Sequence, residues 1–218
     1  METSFKAAED PKRATDMARY MKDQFAFFGF PASERRALQR QAFAGAPKPT
    51  EADLVRLTKA CWRKKQREFQ YFGADYIRQH IEVCDRTFLP HLEFLITHKS
   101  WWDTVDVLAG HGVGGLARRF RPIADEMNNW IDSDNMWIAR AALLYQLGFK
   151  ADTNADQLFG FCERRMKDTE FFIRKAIGWA LREYSKTDPR AVRSFVRKHD
   201  AELSGLSKRE ALKWLNRN

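Results

Sequence analysis

Apolar residues recur at helical spacing along the whole chain, and this periodicity constrains the fold more than any other feature of the sequence. The stretch 170–186 shows the pattern, with apolar residues at i, i+3, i+4, i+7 and i+8 counted from Ile173, as on the buried face of a helix. No long stretch alternates apolar and polar residues, and no Asn-Gly or Asp-Gly hairpin turn occurs. The sequence therefore predicts an all-α protein.

The helical segments are separated by residues that favour turns. Pro31, the APKP stretch at 46–49, Gly148 and Pro189 mark such breaks. About a dozen helices are predicted between them. They are expected near residues 10–24, 32–44, 50–64, 66–82, 85–98, 100–112, 121–132, 135–148, 154–167, 170–186, 189–202 and 207–217.

Large aromatic residues repeat along the chain at a fixed interval. Trp102, Trp137 and Phe172 are each separated by 35 residues, and similar sequences follow the last two. A helical period of this length is typical of repeat proteins that stack helix pairs into a curved array. We expect one domain over residues 1–218, a HEAT-like solenoid of about six antiparallel helix pairs with a basic concave face.

The net charge of +9 is unevenly distributed. The segment from Cys162 to Asn218 alone carries an excess of +7. Such asymmetry indicates a polyanionic partner, either nucleic acid or an acidic membrane surface. A basic surface that serves only solubility is the alternative.

Other features exclude several classes of protein. No apolar run approaches a membrane span, and the N-terminus has no apolar signal region, so we expect a cytoplasmic protein that is not inserted in a membrane. Three cysteines without CxxC spacing are expected to be buried thiols, and no metal or cofactor is expected. No strand precedes the GHGVGG run at 110–115, so we expect it to permit close helix contact or to break a helix.

The segment 170–186 carries a second stripe beside its apolar face. The stripe combines aromatic and cationic side chains: Phe172, Lys175, Trp179, Arg182 and Lys186. Cations neutralise phosphates and aromatic rings stack on nucleosides, so this stripe favours nucleic-acid binding. The alternative is that Trp179 packs against the next repeat while the cations are merely solvated.

Asp106 is the carboxylate that local structure explains least well. Asp103 fits a helix start with Ser100, whereas Asp106 lies mid-helix, where aspartate is unfavourable. Asp106 follows Trp102 by four residues and so shares its helix face. If the 35-residue repeat is real, Arg140 and Trp179 lie in one cleft with Trp102 and Asp106. A simple salt bridge to a neighbouring cation remains the alternative.

Motifs along nearly the whole chain resemble one known family. These are YMKDQF at 20–25, FGFPASERR at 28–36, SWWDTVD at 100–106, NMWIAR at 135–140 and FFIRKAIGW at 171–179. In content, order and approximate spacing they resemble the AlkD-type alkylpurine DNA glycosylases, which are built from HEAT-like repeats.

The resemblance implies specific roles for the residues at matching positions. The catalytic aspartate falls on Asp106, and the two site tryptophans fall on Trp102 and Trp179. The arginine that contacts the DNA backbone near the lesion falls on Arg140. The expected DNA-binding residues are Arg140, Lys175, Arg182, Arg174, Arg35 and Arg36.

The implied chemistry needs one carboxylate. A purine alkylated at N3 or N7 is already cationic and leaves without a general acid, unlike the leaving group of most glycosides. The resemblance therefore implies a monofunctional glycosylase, without lyase activity or cofactor. It is expected to act on alkylated duplex DNA as a monomer, with no membrane partner and no obligate protein partner. Two alternatives remain: a non-catalytic, structure-specific DNA-binding protein of the same fold, and a protein-binding scaffold.

Overall fold

The computed structural model describes residues 2–7 and 9–216, and over these residues the chain is helical with no β-strand. An isolated bridge joins Ala26 to Gln66. The prediction of an all-α protein is thus confirmed. Contacts between Cα atoms divide the chain into two compact units, Met1–Asp85 and Arg86–Asn218. The single domain over residues 1–218 stays a prediction.

Within the described residues, the N-terminal unit contains five α-helices around an aromatic core. They are α1 (Glu2–Ala7), α2 (Pro11–Tyr20), α3 (Ala32–Ala42), α4 (Glu51–Arg63) and α5 (Arg67–His80). Phe5 lies at the centre, with its ring 5.0 Å from that of Phe30 and 5.2 Å from that of Phe69. A buried Glu68 carboxylate accepts hydrogen bonds from the backbone N–H groups of Phe28 and Gly29. These bonds satisfy donors in the irregular segment that leads into α3.

The C-terminal unit stacks consecutive helices on one another. They are α6 (Leu89–Thr97), α7 (Trp102–Val107), α8 (Gly114–Ala117), α9 (Arg121–Trp130), α10 (Met136–Leu144), α11 (Ala155–Arg165), α12 (Phe171–Tyr184), α13 (Pro189–Lys198) and α14 (Gly205–Leu212). Helices α9, α11 and α13 each pack against the helix that follows, while α10 contacts both α7 and α12, and α12 contacts α14. The series α7, α10, α12 and α14 thus forms a continuous row.

Each of the twelve predicted helices overlaps a helix of the structure, although their ends differ by several residues. Helix α1 was not predicted. The segment expected at 100–112 continues to Ala117, because Leu108–Val113 forms a π-helix between α7 and α8. The three cysteines are buried, with no disulfide in the described ranges.

Two glycines allow neighbouring helices to approach closely. A Cβ atom at Gly114, in the GHGVGG run, would lie 2.3 Å from the carbonyl oxygen of Tyr145. A Cβ atom at Gly178 would lie 2.5 Å from the Cβ of Glu210. Both distances are shorter than any tolerated contact, so larger residues would push the helices apart. The close approach expected at 110–115 is confirmed, and the helix widens there rather than ending.

Candidate active site

A buried ion pair joins α7 to α10. Arg140 donates from Nε to Oδ1 of Asp106 at 2.8 Å and from Nη2 to Oδ2 at 2.9 Å. Its Nη1 donates to the carbonyl oxygen of Phe172 in the first turn of α12. Two parallel charge-assisted bonds fix both position and orientation. The guanidinium group of Arg140 on α10 therefore connects Asp106 on α7 to the start of α12 and fixes the position of the carboxylate.

The environment of this pair is nearly dry. The side chain of Asp106 is 10% exposed and that of Arg140 is 3% exposed. Burial raises the pKa of the Asp106 carboxyl above its ordinary value, and the adjacent Arg140 guanidinium opposes that shift. Both carboxylate oxygens accept bonds from a permanent cation, and these bonds favour the ionised form of Asp106.

The start of α7 differs from the sequence prediction. The N-cap of α7 is Trp101, and no side chain caps the helix there. Ser100 instead donates its hydroxyl to the carbonyl oxygen of Ile96 at 2.6 Å. The predicted capping pair of Ser100 and Asp103 is therefore wrong, because Ser100 closes the last turn of α6. Asp103 accepts a bond from the backbone N–H of Thr104.

Three aromatic side chains pack together at the first turns of the same helices. The ring centroids of Trp101 and Trp137 are 5.9 Å apart, and Phe172 lies 5.2 Å from Trp101 and 5.0 Å from Trp137. The sequence identified Trp137 and Phe172 as repeat markers but paired them with Trp102. Trp101 was missed because two adjacent tryptophans satisfy the repeat almost equally well. The cluster fixes Phe172, whose carbonyl oxygen accepts the hydrogen bond from Arg140.

Both predicted site tryptophans keep part of their surface accessible. Trp102 begins α7, one turn before Asp106, and is half-buried. Trp179 is half-buried on α12, seven residues after Phe172, and residues seven apart lie on one side of a helix. Neither indole is sealed in the core, so each retains surface for a ligand.

Lys175 and Arg182, predicted to bind DNA, share one counter-ion. Lys175 Nζ lies 2.7 Å from Oε1 of Glu210, and Arg182 Nη1 lies 2.6 Å from Oε2. The hydrogen bond from Lys175 lowers the pKa of Glu210. Glu210 was missed, although its position 35 residues after Lys175 follows the repeat. Arg174 donates from Nε to the carbonyl oxygen of Asp168 at 2.8 Å.

The two arginines predicted to bind DNA from the N-terminal unit differ sharply in exposure. Arg35 on α3 is buried and donates to Oδ2 of Asp75 on α5 at 2.7 Å. Arg36 is exposed, with its Nε 3.6 Å from the same oxygen. The ion pair of Arg35 favours a structural role, whereas Arg36 is open to an external ligand.

Comparison with known proteins identifies the family. The family model described as DNA alkylation repair enzyme matches residues 1–215. The chain belongs to the DNA alkylation repair enzyme family. It is 33% identical to a predicted DNA alkylation repair enzyme from Enterococcus faecalis, whose structure superposes with a TM-score of 0.87 over 96% of this chain and 98% of that one. No curated protein matches the chain.

Two further solved structures share the fold of the family. One is smu.31 from Streptococcus mutans UA159, with 17% identity and a TM-score of 0.62 over 93% of this chain and 98% of that one. The other is AlkD2 from Streptococcus mutans, with 15% identity and a TM-score of 0.65 over 92% and 98%. The resemblance inferred from the sequence motifs, including the helical-repeat architecture, is thus confirmed.

Family membership assigns the chain to the repair of alkylation damage in DNA and makes DNA its partner. Within the ranges that the structure describes, no helix is long and apolar enough to cross a bilayer.

Proposed function

We propose that this family member is a monofunctional DNA glycosylase. It hydrolyses the N-glycosidic bond of cationic N3- or N7-alkylated purines in duplex DNA and leaves the abasic strand uncut. The observation that carries the proposal is the nearly buried Asp106 carboxyl group, held by two bonds from Arg140 one helical turn from the half-buried Trp102. The enzyme is proposed to act as a cytoplasmic monomer.

The proposed chemistry matches what a single held carboxylate supplies. A cationic purine is a good leaving group, so the reaction requires stabilisation of the positive charge that develops on the deoxyribose. A fixed negative charge in a dry site provides this stabilisation without reorganisation. A carboxylate has about four lone-pair positions, and the two bonds from Arg140 leave others to orient a water molecule.

The remaining residues are assigned supporting roles. Trp102 and Trp179 are proposed to flank the lesion, since aromatic faces attract a cationic base. Lys175, Arg182 and Arg174 are proposed to contact phosphates. Arg140 is almost fully buried, so its main proposed role is to position Asp106, with DNA contact through the N–H groups that the pair leaves.

The decisive test is base release from alkylated duplex DNA. Wild-type protein is incubated with duplexes that contain 7-methylguanine or 3-methyladenine, and the released bases are identified beside the Asp106→Asn variant. We expect release by the wild type and loss of release with retained DNA binding in the variant. Uracil and hypoxanthine, which are neutral and need an acid, should stay in place. Full activity of Asp106→Asn, or efficient uracil release, contradicts the mechanism.

Base release, together with DNA binding measured at several salt concentrations, separates the alternatives. A wild-type protein that binds DNA with steep salt dependence but releases no base is a non-catalytic DNA-binding protein. Weak DNA binding with little salt dependence indicates a protein-binding scaffold, since phosphate contacts always impose a salt dependence. The Asp106–Arg140 ion pair is compatible with a glycosylase and with a non-catalytic DNA-binding protein, and only the released base distinguishes the two.

A further inference from the structure

Three arginines of the N-terminal unit converge on one buried carboxylate. Asp75 on α5 lies 2.7 Å from Nη2 of Arg35, 3.6 Å from Nε of Arg36 and 3.5 Å from Nη2 of Arg78. Arg35 and Arg36 come from α3, and Arg78 lies one turn after Asp75 on α5. Among these four side chains, one carboxylate faces three guanidinium groups, which gives a net charge of +2, and the buried Glu68 carboxyl also interacts electrostatically with Arg35.

Arg35 has the internal position in the cluster. Its guanidinium lies over the Tyr71 ring at 4.8 Å and makes the closest contact with Asp75. Its Nε is buried and has no hydrogen-bond partner among the described residues. Arg35 therefore holds Asp75 in position, and its side chain is buried. This revises the sequence prediction that Arg35 itself contacts DNA.

Arg36 and Arg78 are held at the surface by the same carboxylate. Their side chains are 49% and 37% exposed, and their contacts with Asp75 are longer than a good hydrogen bond. Most of their N–H donors are thus available to a ligand. Two guanidinium groups held near each other repel, and an anion between them relieves this repulsion.

Polar contacts between α3 and α5 continue beyond the arginine cluster. Together they form a polar seam of Arg35, Arg36, Gln39, Asp75, Arg78 and Gln79. Gln39, one turn after Arg35 on α3, donates to the side-chain oxygen of Gln79, one turn after Asp75 on α5, at 3.3 Å. Arg40 is exposed one turn after Arg36. Planar guanidinium groups match the paired oxygens of a phosphate, and they suit this ligand better than a diffuse negative surface.

We propose that Arg36 and Arg78, positioned by the Arg35–Asp75 pair, form a binding site for backbone phosphates of duplex DNA. The site adds Arg78 to the predicted contacts and changes Arg35 from a ligand-binding residue to a positioning residue. The choice of DNA as the ligand rests on the proposed function. The site itself rests on the charges and contacts of the N-terminal unit.

The test compares two double variants that remove the same charge. Binding to an undamaged duplex is measured by fluorescence anisotropy across a range of salt concentrations for wild type, Arg36→Gln/Arg78→Gln and Lys12→Gln/Arg63→Gln. Lys12 and Arg63 are exposed cations of the same unit outside the seam. Each phosphate contact contributes about 0.9 to the slope of log K against log salt, so the seam variant should lose about 2 from that slope. The control should retain the wild-type slope.

A third variant and a stability check complete the design. Arg36→Lys/Arg78→Lys keeps both charges and should keep most of the slope, with weaker binding because a bidentate contact is lost. Thermal unfolding midpoints show whether each variant is folded. An unchanged slope in a folded Arg36→Gln/Arg78→Gln variant, or an equal loss in the control, overturns the site. If wild type shows the expected slopes but releases no base, the glycosylase proposal fails and the phosphate site stands.

Discussion

Asp106 and Arg140 stand 34 residues apart in the chain and meet in a two-bond ion pair that is almost completely buried. The sequence left two interpretations of Asp106 open, a catalytic carboxylate or a simple salt bridge, and the structure does place it in a salt bridge. A salt bridge alone does not require the half-buried Trp102 on α7 and Trp179 on α12. The pair is thus a means of holding a charged carboxylate at a nearly dry position.

The guanidinium of Arg140 should be essential to stability. Arg140→Met leaves Asp106 buried without its counter-ion, and removal of one partner of a buried pair costs about 3–5 kcal/mol. The measurement is urea denaturation at neutral pH. The matched control is Arg164→Met, whose partner Asp132 is exposed, and it should lower stability much less, because exposed ion pairs contribute little. Equal losses in the two variants would show that burial of the Asp106 pair has no special weight.

Base excision should depend on the ionisation of Asp106. Burial raises the pKa of this carboxyl, so the group takes up a proton at a higher pH than an ordinary aspartate. Excision therefore remains constant above the raised pKa and falls as the pH is lowered through it. Single-turnover release of 7-methylguanine, with the bound fraction measured at each pH, tests this dependence.

The Arg140→Met variant should shift the pH dependence of excision in a predictable direction. Arg140 opposes the shift caused by burial, so its removal should move the fall in excision to a still higher pH. A fall at the same pH in both proteins would assign the titration to another group.

The two site tryptophans should contribute through their aromatic faces. Trp102→Ala and Trp179→Ala should each lower single-turnover excision about tenfold, since a cation–π contact contributes roughly 0.5–2 kcal/mol. Phenylalanine at either position should restore part of the rate because it keeps an aromatic face. Phe94→Ala, which removes an exposed ring on α6, is the control. Equal rates for the alanine and phenylalanine variants would exclude an aromatic role.

Glu210 should stabilise the protein most at neutral pH. Lys175 lowers the pKa of Glu210 in the folded state, so the stabilisation is fully present above the pKa of the unfolded chain and is lost as the pH falls through the folded-state value. Glu210→Gln should lower the free energy of unfolding at pH 7 by about 1–3 kcal/mol, as expected for lost bonds to charged groups.

The corresponding control is Glu183→Gln, which removes an i,i+3 ion pair with Lys186 between two partly exposed side chains. It should change stability by about 0.5 kcal/mol or less. Urea denaturation at pH 7 and pH 4 should show a smaller difference between Glu210→Gln and wild type at the acidic pH. A constant difference at both pH values would contradict the role of Glu210 ionisation.

The sequence by itself determined the helices, their order and the candidate site residues. Apolar periodicity follows from local geometry, so the twelve predicted helices could be read without any knowledge of their packing. The mid-helix position of Asp106 and the aromatic–cation stripe of α12 also needed local structure alone. The short helix α1 escaped, since a six-residue segment is too short for its periodicity to be recognised.

Tertiary structure alone decided which charges are neutralised and which face outward. Periodicity fixes the face of a residue but not its partner on another helix, and the decisive pairs here span 34, 35 and 40 residues. Adjacent Arg35 and Arg36 look equivalent in the sequence, yet a helix turns by about 100° per residue, so one is buried against Asp75 and the other is exposed. For the same reason, Glu210 gained its role only when Gly178 allowed α14 to approach α12.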